Sequence, residues 1–236
     1  MNNKLLSVIA FLAVALFSTN AFSGSFNIGA AGALAKIEAS GAETPSLDTS
    51  DSSDRSDEVT NDVFIGSLFA EYESDYLGGL TVGFEMIPGS ADVSDKVKTR
   101  TDTEKSVSGD NTQNTDTREF KANAEIEDYM SLYVELPVGG GPFFFRGGMA
   151  QIDVNTNEVK SSNGGSYGNA TLDGINVGLG LKGTMANGLG VKFYYEQTDF
   201  DTLSLTSTGN SADSGTNSIS ADLDVQAVKL AVSYKF

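Results

Sequence analysis

The sequence closes on Val228-Lys229-Leu230-Ala231-Val232-Ser233-Tyr234-Lys235-Phe236. Val228, Leu230, Val232, Tyr234 and Phe236 take every second position, and Lys229, Ala231, Ser233 and Lys235 fill the positions between. Side chains of a strand point alternately to its two faces, so the stretch reads as a strand with one apolar and one mostly polar face. In a water-soluble protein such an apolar face goes into a core, but this sequence offers nothing after Phe236 to bury it. The pattern fits a strand whose apolar face meets lipid and whose polar face lines a barrel.

The same alternation recurs upstream. Eight segments carry it, at 26–37, 63–72, 80–86, 120–136, 143–149, 172–185, 189–200 and 219–236. Asp128 falls on the apolar face of the fourth, which predicts a β-bulge or the edge of the lipid layer there. Long polar insertions at 38–62, 89–118, 155–169 and 204–218 alternate with short connections at 75–79, 137–142 and Asn187-Gly188. Asn-Gly is a strong two-residue hairpin signal. All short connections therefore fall at one end and all long ones at the other, as lipid-spanning barrels with short periplasmic turns and long outer loops require. An even number of strands brings both ends of the sheet together, so the first can pair with the eighth and leave no free edge. The expected fold is all-β, an eight-stranded antiparallel up-and-down transmembrane barrel.

Composition limits the alternatives. After Lys4, residues 5–17 form an apolar run broken only by Ser7, and Ala21 and Ser23 stand at small-residue positions suited to signal cleavage. The run is shorter than the roughly 20 residues a spanning helix needs. Residues 1–23 are thus expected to be a cleaved signal peptide and 24–236 one barrel domain. No other stretch could span as an apolar helix, which leaves a closed barrel as the way to satisfy the backbone in lipid. The chain has no Cys and no His, so thiol chemistry and the commonest general base are absent. Losing Lys4 with the leader takes the net charge from −17 to −18, a balance that repels nucleic acid.

The leader, the alternation of strands and loops, and the aromatic carboxyl terminus together resemble the small bacterial outer-membrane β-barrels, the OmpA-like transmembrane domain and its OmpX-like relatives. The resemblance implies an integral outer-membrane monomer with a structural or surface-interaction role and no cofactor. It further implies that Val232, Tyr234 and Phe236 form the signal read by the barrel assembly machinery, and that lipid and lipopolysaccharide surround the wall. No peptidoglycan-binding domain follows Phe236 in this sequence, so the tethering role of longer relatives is not expected.

The polar faces carry the chemistry. Glu71, Glu85, Glu135 and Glu196 are set against Arg146, Lys182, Lys192 and Lys229 inside a lumen only just wide enough for side chains to fill. Two readings stand: a structural plug of mutually paired charges, or a narrow ion path gated by them. An acidic mouth would make such a path a small porin favouring cations. A soluble lipocalin-like barrel is the third possibility, and it would require the apolar faces to point inward. Glu43, Asp48, Asp51, Asp54, Asp57, Glu58 and Asp62 could hold Ca²⁺ weakly, but without EF-hand spacing they read as a solvated loop and no metal site is assigned. Lys96, Lys98, Arg100 and Lys105 are offset by Asp92, Asp95, Asp102 and Glu104. That mixed loop could bridge lipopolysaccharide phosphates or meet an extracellular partner. Outer-membrane enzymes of similar architecture that work through a His base have no counterpart here, so no catalysis is expected.

Overall fold

The computed structural model describes residues 24–44, 56–75, 78–94, 98–107, 113–160, 166–208 and 216–236, and its elements are all strands. They are β1 (Gly24–Thr44), β2 (Ser56–Ser74), β3 (Thr81–Asp92), β4 (Lys98–Val107), β5 (Gln113–Pro137), β6 (Phe143–Lys160), β7 (Ala170–Thr184), β8 (Leu189–Phe200), β9 (Leu203–Thr206) and β10 (Ser218–Lys235). Eight of them form an antiparallel ring in the order β1, β2, β3, β5, β6, β7, β8, β10, which β10 closes by pairing back onto β1. Among the described residues β4 pairs with β5 alone and β9 with β10 alone, so both are extensions beyond the ring.

Period 2 decides which side chains face which way. On β1, Ala31, Ala33, Ala35 and Ile37 are buried while Ile28 and Leu34 are exposed. Phe64 and Leu68 on β2, Met149 on β6, Ile175 and Leu179 on β7, Phe193 on β8, and Leu230 and Val232 on β10 continue the exposed set around the ring. The result is an outward apolar belt. At the long-loop side it ends where the next outward positions turn polar, at Lys36, Asp62, Asp173, Gln197 and Gln226. At the short-turn side it ends in aromatics, with the Tyr234 and Phe236 rings edge to face at 5.0 Å between centroids. Phe236 N–H donates to Phe26 O at 2.9 Å and ties the last residue to the first strand.

The short turns form as their residues dictate. Met185 and Leu189 bond across the Asn187-Gly188 turn, where Gly188 sits at φ +86°, a region open to glycine and costly for most side chains. The fourth segment also carries its bulge: Asp128 has φ +52°, and the β5–β6 register shifts between Glu127 and Met130.

The long insertions differ from expectation. The stretch at 89–118 is largely strand, because β3 runs on to Asp92 and β4 folds against β5 from Lys98↔Ala122 to Val107↔Gln113. The insertion at 38–62 likewise begins and ends as strand, with β1 and β2 paired out to Ala42↔Ser56, and β6 continues to Lys160. A lipid-crossing strand needs only about 9–11 residues, so these walls project well past the belt. The expected leader at 1–23, Asp48, Asp51 and Asp54 of the acidic run, Asp95 and Lys96 of the mixed loop, and 161–165 of the insertion at 155–169 lie outside the described residues.

The interior has two zones. A charged cluster fills the short-turn half, described below. Toward the long loops the inward side chains become apolar, with Ile37, Ile126, Ile152, Val154, Leu172, Phe200 and Leu223 buried together.

Candidate functional site

All eight charges expected inside the ring are inside it, and they form one connected network. Adjacent strands with a common inward phase supply them: Glu71 from β2, Glu85 from β3, Glu135 from β5, Arg146 from β6, Lys182 from β7, Lys192 and Glu196 from β8, and Lys229 from β10. Because alternate residues point inward, one charged residue per strand at matched height suffices to span the lumen.

Arg146 is the hub. Its guanidinium pairs with Glu85, lies 2.6 Å from Glu196 Oε2 through Nε and 4.0 Å from Glu135 through Nη1. It also donates to Tyr194 Oη at 3.3 Å and stacks 3.4 Å over the Tyr133 ring. Lys229 Nζ bridges Glu85 at 2.9 Å and Glu196 at 2.7 Å, which closes a ring of alternating charge. Lys192 Nζ pairs with Glu71 and donates to both oxygens of Glu135 at 2.8 Å. Tyr133 Oη donates to Glu71 Oε1 at 2.7 Å and so joins the two halves.

Burial makes this arrangement exacting. The side chains of Glu85 and Glu135 have no solvent exposure and that of Arg146 only 1 %. A charge removed from water to this degree is tolerable only with opposite charge and hydrogen bonds around it. Glu71, Glu85, Glu135 and Glu196 against Arg146, Lys192 and Lys229 leave one uncompensated negative charge. Lys182, at the edge toward the short turns, supplies the balance: its Nζ is 3.6 Å from Glu135 and 3.0 Å from Thr81 Oγ1.

Glu73, Thr81, Tyr133, Tyr194 and Lys235 join the network and were not among the expected site residues. Glu73 bridges Lys182 at 3.4 Å and Lys235 at 3.1 Å, extending the network to the short-turn rim. Glu73 is one further inward step along β2 from Glu71, and extending the alternation by two residues finds it. Tyr133 and Tyr194 show the same inward phase, but nothing in their residue type distinguishes a hydrogen-bond donor from a filler.

Among the described residues no group of three or more His, Cys, Asp or Glu is placed to hold a metal ion. Glu43 instead accepts from Tyr167 Oη at 2.8 Å and Asn217 Nδ2 at 3.2 Å, which ties β1 to the loops beside β7 and β10. Lys98, Arg100, Asp102, Glu104 and Lys105 lie on β4, not in a loop. Val232, Tyr234 and Phe236 sit on the outer face of the last strand, exposed at 47, 51 and 71 %.

Comparison with known proteins places these features. The family described as outer membrane protein beta-barrel domain matches residues 9–236. A search of curated proteins found no match. Among solved structures the chain is similar to Ail, the attachment invasion locus protein of Yersinia pestis, crystallised with the heparin analogue sucrose octasulfate. The identity is 13 % and the TM-score 0.43, covering 91 % of this chain and 99 % of Ail. It is also similar to the outer membrane protein OprG of Pseudomonas aeruginosa, at 14 % identity and TM-score 0.43 over 91 % and 97 % of the two chains. The outer membrane protease OmpT of Escherichia coli matches at 7 % identity and TM-score 0.46 over 92 % and 99 %.

Proposed function

The chain belongs to the outer membrane protein beta-barrel domain family and is an integral outer-membrane barrel; on that premise we propose that its role is structural and surface-directed, with the lumen plugged by the ion-pair network. The observation that carries this reading is the continuity of the network from Glu73 through Lys182, Glu135 and Arg146 to Lys229 and Glu196. Each buried carboxylate faces at least one cation at ion-pair distance. Opening an ion path would mean separating several buried pairs at once, and each uncompensated partner costs about 3–5 kcal/mol.

The leader at 1–23 directs export, and Val232, Tyr234 and Phe236 present the aromatic signal to the barrel assembly machinery. The belt faces lipid and lipopolysaccharide as a monomer, and the long acidic hairpins face outward toward an extracellular partner. In this reading the barrel acts by position and surface and not by catalysis.

The test has two arms. Outer membranes from cells expressing the full chain are run on gels with and without boiling; the folded barrel is expected in that fraction, with mobility that shifts on boiling. The refolded protein is then placed in a planar bilayer, where only small, intermittent conductance is expected. Steady conductance with cation selectivity would replace the plug with a channel, and recovery as a soluble protein without a shift would overturn the membrane reading altogether.

A further inference from the structure

The ring has a window in its wall. β2 and β3 pair from Glu73↔Thr81 only as far as Leu68↔Met86, although β2 continues to Ser56 and β3 to Asp92. The interruption has a local cause. Pro88 has no N–H to give to a ladder, Gly89 stands at φ +98°, and the β3–β5 register shifts between Ile87 and Ser90. Above the break Asn61 Nδ2 donates to Asp92 O at 2.7 Å. Phe64 and Gly66 on one side and Pro88, Gly89 and Ser90 on the other frame the opening. Phe64 lies at the top of the apolar belt and is 76 % exposed.

Behind the window lies a cavity of about 190 Å³. Its walls are the apolar inward residues of the long-loop half, among them Ile65, Ile87, Ile152, Val225 and Ala227, and its floor is Tyr129, Glu196 and Lys229. Of its charged lining residues Glu127, Glu196 and Lys229, the last two are held by the ion-pair network, Lys229 to Glu196 at 2.7 Å. Tyr129 Oη is different: it is buried and has no hydrogen-bond partner among the described residues. A buried hydroxyl without a partner is costly and calls for an explanation. An apolar cavity of about 150 Å³ stays dry and takes up benzene, so this one is large enough for a single aromatic ring or a short alkyl chain.

We propose that the cavity binds a small apolar molecule carrying one hydrogen-bond acceptor, which enters from the outer leaflet between β2 and β3 and is met by the Tyr129 hydroxyl. The proposal rests on the reading that the belt lies in lipid, which is what brings an apolar molecule to the window. It goes beyond the plug, because the site occupies the half of the lumen the ion pairs leave apolar.

The test uses the refolded barrel in lipid nanodiscs with labelled isoleucine methyls, titrated with anisole and with its acceptor-free isostere ethylbenzene. Saturable shifts of the Ile126 and Ile152 methyls are expected, with anisole bound about threefold to tenfold more tightly, the worth of one net hydrogen bond. Tyr129→Phe should abolish that preference while leaving ethylbenzene binding unchanged. Ala227→Leu should fill the cavity and abolish the shifts, with Ala35→Val as the milder variant if the first fails to fold. Gly66→Trp should slow ligand exchange at least tenfold; a Cβ on Gly66 meets only Ala31 O at 3.9 Å, so the backbone there accepts a side chain. Non-saturating shifts, or shifts that survive the filling variants, would overturn the site, and unchanged exchange in Gly66→Trp would overturn the window. Failure of the barrel to insert and shift in gel mobility would count against the membrane reading and not against the cavity.

Discussion

Arg146 shows what a single residue must satisfy in this lumen. Its planar guanidinium reaches Glu85, Glu196 and Glu135 while its face rests on Tyr133, a geometry that a lysine ammonium cannot reproduce. Its partner Glu85 also holds Lys229, so Glu85→Gln leaves two buried cations short of charge. The expected loss is about 3–5 kcal/mol in urea titrations of the vesicle-inserted barrel. Adding Lys229→Met, which removes one of the stranded charges, should recover part of it. Beyond the belt the electrostatics reverse sign. Asp224 on β10 pairs across strands with Asp199 on β8. Partial burial, then a hydrogen bond and repulsion from Asp199, with Glu38 and Asp222 adding to it, push the Asp224 carboxyl above its ordinary range. A carboxyl whose folded pKa is raised opposes folding above that pKa, and the penalty fades as pH falls through it. Asp224→Asn is therefore expected to raise the unfolding midpoint at pH 7 and to leave it unchanged near pH 3, as read by the temperature at which gel mobility shifts.

Strand pairs explain how large rings fit so narrow a ring of strands. Tyr133 on β5 lies opposite Gly83 on β3, and Tyr194 on β8 opposite Gly180 on β7. A Cβ placed on Gly83 would run into the Tyr133 ring, and one on Gly180 into Tyr194. Glycine is needed here for close approach, because the Tyr133 ring crowds Gly83, and Tyr194 Cβ with Phe144 Cζ crowds Gly180. Gly83→Ala is expected to cost about 1–3 kcal/mol, the usual range for overpacking, in the same urea titration. Gly147→Ala is the control, since an added Cβ there meets nothing within 4 Å, and it should change stability by less than about 0.5 kcal/mol. The elements also show why some of the wall was hidden in the sequence. β4 and the far end of β5 read Lys-Thr-Arg-Thr-Asp and Thr-Asp-Thr-Arg-Glu, with no apolar phase to reveal a strand. Period-2 reasoning detects an alternation of apolar with polar residues, and these stretches have none. Asp128 had the opposite effect: misplaced by one step, it marked the bulge that the register confirms.

For the whole molecule, ring closure, strand number, hairpin polarity and the inward charges were legible because lipid outside and a packed lumen inside impose two different chemistries on alternate residues. The zoning of the lumen was not. Ile87, Ile126, Ile152 and Leu223 sit in or beside stretches that look polar, and Ile126 joins the inward face only after the bulge at Asp128 shifts the phase of β5. Their meeting is a property of three-dimensional register. Neither could a sequence show that the strands are held so unevenly. β10 and β1, which no turn connects, pair from Asn27↔Lys235 to Thr44↔Ser218, while β2 and β3, which a short turn does connect, pair only over Leu68–Glu73. Covalent continuity thus backs the weakest seam, and the extensive seam does without it. A circularly permuted chain, joined end to end and reopened at Asn187, would still close through the long β7–β8 ladder from Gly174↔Phe200 to Thr184↔Gly190; one reopened between β2 and β3 would gape, because there the polypeptide link is the main fastening.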